Sequence, residues 1–290
     1  MAGDPKFLPH PVIFIGKAIS FFDRRFKTRN FFYGFVLSVI IILMTAASVY
    51  ILLRLVNFNE FVQILIIYSA LAWQDLKDET IKIFYSLSEN NIIQARKYLS
   101  YVVGRDTENL NECEISRAAV ETIAENSIDG VMSIIFYACL GFLLNNKFGA
   151  CVSVWIFKAV STLDSMIGYE HYKKFGTASA RLDDILNFIP ARLGGIIIIL
   201  AGGCKLNALK IFLRDRKKHK SPNSAHGESA FGGVLNLKLG GGAFYNKIFE
   251  ARDFIGGVND PESIDIIRAI ALLDRSCAVF TCVVIILGAC

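Results

Sequence analysis

The chain has 290 residues, 53% of them hydrophobic, with a mean hydropathy of +0.45 and a formal net charge of +5. Ordinary globular domains are about 45–50% apolar; here the excess is clustered, which points to a bilayer rather than an enlarged soluble core. The modest positive charge suits anionic headgroups or anionic ligands, no nucleic-acid partner is expected, and seven cysteines without a CxxC pair argue against a disulfide or metal framework.

Residues 1–30 form a basic amphipathic arm with six Lys or Arg and two acids. The first apolar segment covers 30–54, and its inner part, 31–53, holds no charge over 23 positions. A helix rises ~1.5 Å per residue and the hydrocarbon core is ~30 Å thick, so about 20 apolar residues span it. This segment spans, and it is too long to be a signal peptide. The next apolar stretch, 60–73, has only 14 residues. Residues 74–127 are polar, with Ile81, Phe84, Leu87, Ile92, Ala95 and Leu99 at helical spacing, which predicts short amphipathic helices. Further apolar segments cover 128–144, 148–168, 185–203 and 269–290, and a long polar loop is predicted over 204–268. The pattern predicts an all-α, polytopic integral membrane protein forming one domain over 1–290, with long polar cytoplasmic loops. The positive-inside rule places residues 1–30 and the seven Lys/Arg of 205–220 on the same, cytoplasmic side. Five full spans would separate them, so one apolar segment is expected to be re-entrant or interfacial; 60–73 and 185–203 are the candidates.

Four polar islands interrupt this pattern. The first, 105–130, carries nine charges, seven of them carboxylates. Arg117, Glu121 and Glu125 follow at i, i+4 and i+8, with Asp129 a turn further, so they share one helix face beside Asn126. A solvated surface helix is the plain alternative, but the stripe runs into an apolar segment, where ionisable groups are costly and functional by default. Converging oxygens there suit Mg²⁺, which binds through one or two carboxylates plus phosphates. The second island, 158–169, holds Lys158 and Asp164; interhelical polar contacts are the alternative reading. The third, 175–192, holds Arg181, Asp183, Asp184 and Asn187, and its adjacent acids suggest a nearby cation, unless they simply favour a helix start. Arg192 can clamp a phosphate or carboxylate through a bidentate fork, or pair with a structural acid. The fourth, 221–245, is Gly-rich and holds Ser221, Asn223, His226 and Glu228; a backbone cradle for a ligand and a flexible loop are both open. The Walker phosphate loop, the strand-framed dinucleotide fingerprint, H-E-x-x-H and the G-x-S-x-G elbow are absent from the sequence.

These islands carry a resemblance. GDPKFLPHPVIFIGKAIS, VGRDT at 103–107, RAAVETIAENSIDGV at 117–131, STLDSMIGY at 161–169, FGTASARLDDILNFIPAR at 175–192, SPNS and LKLGGGAFY occur in order over nearly the whole chain. In these runs the chain resembles the CobD/CbiB family of membrane adenosylcobinamide-phosphate synthases. The resemblance implies an ATP- and Mg²⁺-dependent ligase that joins the free propionate of adenosylcobyric acid to the amine of (R)-1-aminopropan-2-ol phosphate or a related amino alcohol. It also implies a multi-pass protein of the cell membrane, a site facing the cytoplasm, and a possible complex with other cobalamin-pathway enzymes. Three departures stand out. An apolar helix usually precedes the GDP motif, and its absence here makes a first membrane helix look missing. Lys158 stands where Arg is common. AHGES replaces a GxPEA-type run, so Glu228 carries over as a family position and His226 does not.

Activating a carboxylate by ATP requires charge neutralisation, and the amine that follows must be neutral. On that chemistry Asp106, Glu121, Glu125, Asp183 and Asp184 are expected in Mg²⁺ or base roles, with Glu121, Glu125 and Asp184 as the metal ligands. Arg105, Arg117, Arg181 and Arg192 are expected to bind phosphates. Asn126, Asp129, Asp164, Asn187, Ser221, Asn223 and Glu228 are expected to line the substrate. A transporter or a non-catalytic scaffold is the alternative class; a transporter predicts repeat symmetry, and no internal repeat is visible.

Overall fold

The computed structural model describes residues 10–26, 28–168 and 174–289. Gly3, Asp4 and Pro5 of the opening motif and Tyr169 of the second island lie outside them. In chain order the helices begin with α1 (Pro11–Arg25), α2 (Phe31–Leu55), α3 (Glu60–Tyr68), α4 (Trp73–Ser88), α5 (Ile92–Leu99) and α6 (Glu112–Ser127). A π turn, Ile128–Met132, leads into α7 (Ser133–Ile167), followed by α8 (Thr177–Leu186), α9 (Phe188–Ala201), α10 (Leu206–Asp215) and α11 (Ser224–Leu235). Four three-residue strands, β1 (Lys238–Gly240), β2 (Ala243–Tyr245), β3 (Ile248–Glu250) and β4 (Phe254–Gly256), precede α12 (Ser263–Ala289). The strands pair antiparallel as β1–β4 and β2–β3. The polar region 204–268 is therefore not a loop but two helices and two ribbons. The helical, membrane-spanning class stands: Phe31–Leu55, Glu112–Ile167 and Ser263–Ile286 are long and apolar enough to cross a bilayer. Thr177–Leu186 and Phe188–Ala201 pass that test only when taken together.

The chain forms two compact units, residues 1–71, 133–187 and 286–290 in one, and 72–132 with 188–285 in the other. In the first unit, Asn30 starts α2 by accepting the Tyr33 N–H (3.0 Å). Its buried stripe, Leu37, Ile41, Val49 and Leu53, packs with Trp155, Phe157 and Leu163 of α7. Nine residues of α3 rise only ~14 Å, short of the hydrocarbon thickness. The predicted break between 144 and 148 is a reversal within α7: Asn145 and Asn146 leave helical geometry, Asn146 with φ +52°. The two arms lie against each other. Ser153 Oγ donates to the Tyr137 carbonyl (2.6 Å), Tyr137 stacks on Phe157 at 5.0 Å, and Gly141 and Gly149 let the backbones meet. One end of this unit joins Phe148 to Tyr50 and Phe58, and the other brings Phe175 to Phe26 and Gly34.

In the second unit, α11 is the central element. It packs on α6, α9, α10, β1 and β4, and every residue from Ala225 to Val234 is buried. Glycines make this possible. A Cβ on Gly227 would sit 2.6 Å from the Ala124 carbonyl of α6, and one on Gly233 3.0 Å from the Ala208 carbonyl of α10. Asn111 and Glu114 close a capping box at the start of α6. Asp274, which interrupts the last apolar segment, accepts from Trp73 Nε1 (2.8 Å) and Lys77 Nζ (2.7 Å), so α4 supplies its countercharge.

Candidate active site

The charged stripe of α6 is real, but its members do different things. Arg117 donates through Nε to the Lys238 carbonyl (3.1 Å) and through Nη2 to Asp260 (3.0 Å), which ties α6 to β1 and the approach to α12. Glu121 is buried, and both of its oxygens are engaged: Arg105 Nη2 donates to Oε2 and the Gly240 N–H to Oε1, each at 2.6 Å. Glu125 stays solvent-accessible and accepts no hydrogen bond among the described residues. Asp129 falls in the π turn that follows α6, where it is half-buried. Asn126 donates to the Thr122 carbonyl of its own helix (3.0 Å).

Asp106 is committed as well. Its oxygens accept the N–H groups of Asn246 (3.2 Å) and Lys247 (2.7 Å), and its own N–H donates to Phe244 (2.8 Å). Asn246 and Lys247 both have positive φ, so the carboxylate holds the strained turn of the β2–β3 hairpin. The LGGG run reaches Glu121 in the same way. Gly240, Gly241 and Gly242 have φ of +79°, +91° and +85°, a conformation that only glycine adopts freely, and it turns the Gly240 N–H onto the carboxylate.

Glu228 on α11 faces this group. It is 5% exposed, and burial followed by the repulsion of Glu121 and Glu125 pushes its carboxyl well above the usual range, with Arg105 and Arg252 opposing. Burial works against the charge of Arg105, yet Glu121 holds it protonated. His219 Nδ1 lies 3.6 Å from Glu228 Oε1 and 3.1 Å from Ser224 Oγ. Burial first, then Arg252, lowers the imidazole. The result is a cluster of three carboxyl groups, two guanidiniums and an imidazole, in which Glu228 is buried and Glu125 is exposed.

Nearby, Arg192 donates to the Phe188 carbonyl (2.6 Å) and to Asn223 Oδ1 (3.3 Å), and its guanidinium lies over the Phe188 ring at 3.4 Å. Ser221 Oγ accepts the Asn223 N–H (3.3 Å). Five expected site residues belong to the other unit. Asn187 is buried and links Ser133 Oγ (2.8 Å) to Asp183 Oδ2 (3.1 Å), a joint between α7 and the end of α8. Arg181 is exposed, and Asp164 and Asp184 are half-buried and have partners. The residues missed in the sequence are His219, Arg252 and Arg216. The basic run 205–220 reads as a topological signal, while Arg214 and Lys218 in fact serve the fully buried Asp215. Burial raises that carboxyl, but hydrogen bonds from Arg214, Lys218 and the Gly256 N–H outweigh it and hold it at about 2.

Among the described residues no three acid, His or Cys side chains converge tightly enough to hold an ion alone. The donor chemistry still fits Mg²⁺ bound in part by substrate phosphate: hard carboxylate oxygens, more acids than nearby cations, and an open Glu125.

Helical spans long and apolar enough to cross a bilayer, with a buried cluster of carboxyl and guanidinium groups, mark a polytopic membrane protein. A family profile described as CobD/Cbib protein matches residues 1–273. The chain is 37% identical to the cobalamin biosynthesis protein CobD of Halalkalibacterium halodurans, over 99% of this chain and 92% of that one. It is 41% identical to that of Pelobacter propionicus, over 91% and 83%, and 40% identical to that of Clostridium tetani, over 84% and 79%. No solved structure matches. The chain belongs to the CobD/CbiB family.

Proposed function

We propose that this protein acts in cobalamin biosynthesis as the ligase that joins the free propionate of adenosylcobyric acid to the amine of (R)-1-aminopropan-2-ol phosphate or a related amino alcohol, with ATP and Mg²⁺. The observation that carries this reading, beside family membership, is the pairing of a buried acid, Glu228, with an exposed one, Glu125, next to Arg105. In the proposed reaction the propionate oxygen attacks the γ-phosphorus of ATP, giving an acyl phosphate and ADP. The amine nitrogen then attacks the acyl carbon, forming the amide and releasing phosphate. Arg105 and Arg252 offset charge on the transferring phosphoryl group. A second carboxylate of the same cluster would accept the proton that the ammonium must lose before attack. Mg²⁺, bound in part by the substrate phosphates, would supply charge neutralisation, with Glu125 as its candidate protein ligand. Glu121 and Asp106 act through what they hold, Arg105 with the glycine loop and the β2–β3 hairpin. On this reading the protein is a multi-pass enzyme of the cell membrane whose site faces the cytoplasm.

Purified protein given adenosylcobyrate, the amino alcohol phosphate and Mg-ATP is expected to form the amide with stoichiometric nucleotide turnover. Glu125→Gln is expected to abolish ligation while eluting as folded protein in detergent. Near-wild-type turnover in this variant would sink the assignment, and ion flux in liposomes without amide formation would favour a transporter.

A further inference from the structure

The start of α11 is electrostatically incomplete. The helix has 12 residues, and Asn223 stands at its N-cap without making a side-chain cap; its Oδ1 accepts from Arg192 instead (3.3 Å). The Asn223 side chain thus leaves the first turn uncapped. His226, in that turn, is 1% exposed, and neither ring nitrogen has a hydrogen-bond partner among the described residues. Its ring meets Phe212 edge-on at 5.7 Å. The charged groups acting on it are Arg192 from α9 and Arg216 and Lys217 from the segment after α10, all cations. Arg192 and Arg216 also repel each other. The Nε of Arg216 is buried without a partner, and the nearest acid in sequence, Asp215, is already saturated by Arg214, Lys218 and Gly256. Two guanidiniums, an uncapped helix start and an unpartnered buried imidazole form a binding place for a compact dianion.

Its neighbour says which one. Ser224 Oγ touches His219, and His219 approaches Glu228. Glu228 lies four residues along the same helix from Ser224, about 6 Å at 1.5 Å per residue. A small molecule with a phosphate at one end and an ammonium a few bonds away spans that interval. Resting on the ligase reading above, we infer that Arg192, Arg216, Asn223 and His226 at the start of α11 bind the phosphomonoester of the amine substrate and set the preference for phosphorylated over free amino alcohols.

The test compares O-phosphoethanolamine with ethanolamine as amine substrates, in wild type and in Arg216→Ala and Arg216→Lys. In Arg216→Ala the ratio of kcat/KM for the phosphorylated over the free amine is expected to fall at least tenfold, through KM, with the KM for ATP unchanged; Arg216→Lys recovers part of it. Because the ratio is taken within one variant, partial unfolding does not move it. An unchanged ratio, or a matching rise in the KM for ATP, overturns the assignment. Calorimetric titration of O-phosphoethanolamine without ATP separates the two readings. Arg216-dependent binding without any ligation leaves the subsite standing and the ligase reading fallen. Competition by phosphatidic acid in nanodiscs, with no response to O-phosphoethanolamine, assigns the cations to a lipid headgroup and overturns the proposal.

Discussion

Burial and charge decide what single residues do here, and His226 shows how. Burial, then the cations Arg192 and Arg216, push its imidazole down to about 4 from an ordinary 6.5. Above pH 6.5 the ring is neutral in both folded and unfolded chains, so it imposes no penalty. As pH falls from 6.5 towards 4, the unfolded chain binds a proton that the folded one refuses, and stability drops; below 4 the loss, up to about 3 kcal/mol, is complete. Thermal unfolding in detergent from pH 7.5 to 4 is expected to show this loss in the wild type and a flatter profile in His226→Gln. Parallel profiles would mean that the ring is not held neutral. The same scale explains what was legible in the sequence. Spacing alone places Arg117, Glu121 and Glu125 on one face of α6. It does not tell that Glu121 is saturated by Arg105 and Gly240 while Glu125 is open, because those partners arrive from 16 and 119 residues away. Asp106 is similar: its hairpin partners, Asn246 and Lys247, are invisible to local pattern.

Among elements, α2 is legible because its apolar run is long and uncharged, while α11 is not. SAHGESAFGGVL has no apolar stripe, since the helix is buried all round and its contacts are made by backbone at glycine. The strands, at three residues each, are too short for an alternating pattern to register. This mode of packing has a price in tolerance. In Gly227→Ala the new methyl would meet the Ala124 carbonyl at 2.6 Å, and backbone cannot rotate aside as a flexible side chain can. α6 and α11 must separate, which is expected to cost about 1–3 kcal/mol. Because Glu121 and Glu228 ride on those two helices, ligation should fall at least tenfold even below the melting temperature. A thermal shift without loss of turnover would show that the helix spacing is not what the site needs.

At the scale of the molecule, the first unit can be oriented. Arg24, Arg25 and Arg29 precede α2, so the positive-inside rule puts that end in the cytoplasm. The opposite end carries Glu60 and Lys147, an exposed pair beyond Tyr50 and Phe148. In a background freed of its native cysteines, Glu60→Cys and Lys147→Cys are expected to react with an impermeant maleimide from outside the cell, and Arg25→Cys only after permeabilisation. Labelling of Glu60→Cys and Arg25→Cys from the same side would refute this orientation. The reversal at Asn145–Asn146 bears on biogenesis too. The arm from Ser133 to the turn is about 18 Å long, too short to be taken up by a bilayer alone, and the turn itself carries a single charge, Lys147. The two arms are therefore expected to enter the membrane as one closed loop, tip first. Since α6 leads through the π turn into the first arm, the helix bearing Glu121 and Glu125 would be tethered from the moment of insertion, before the ribosome has delivered Glu228.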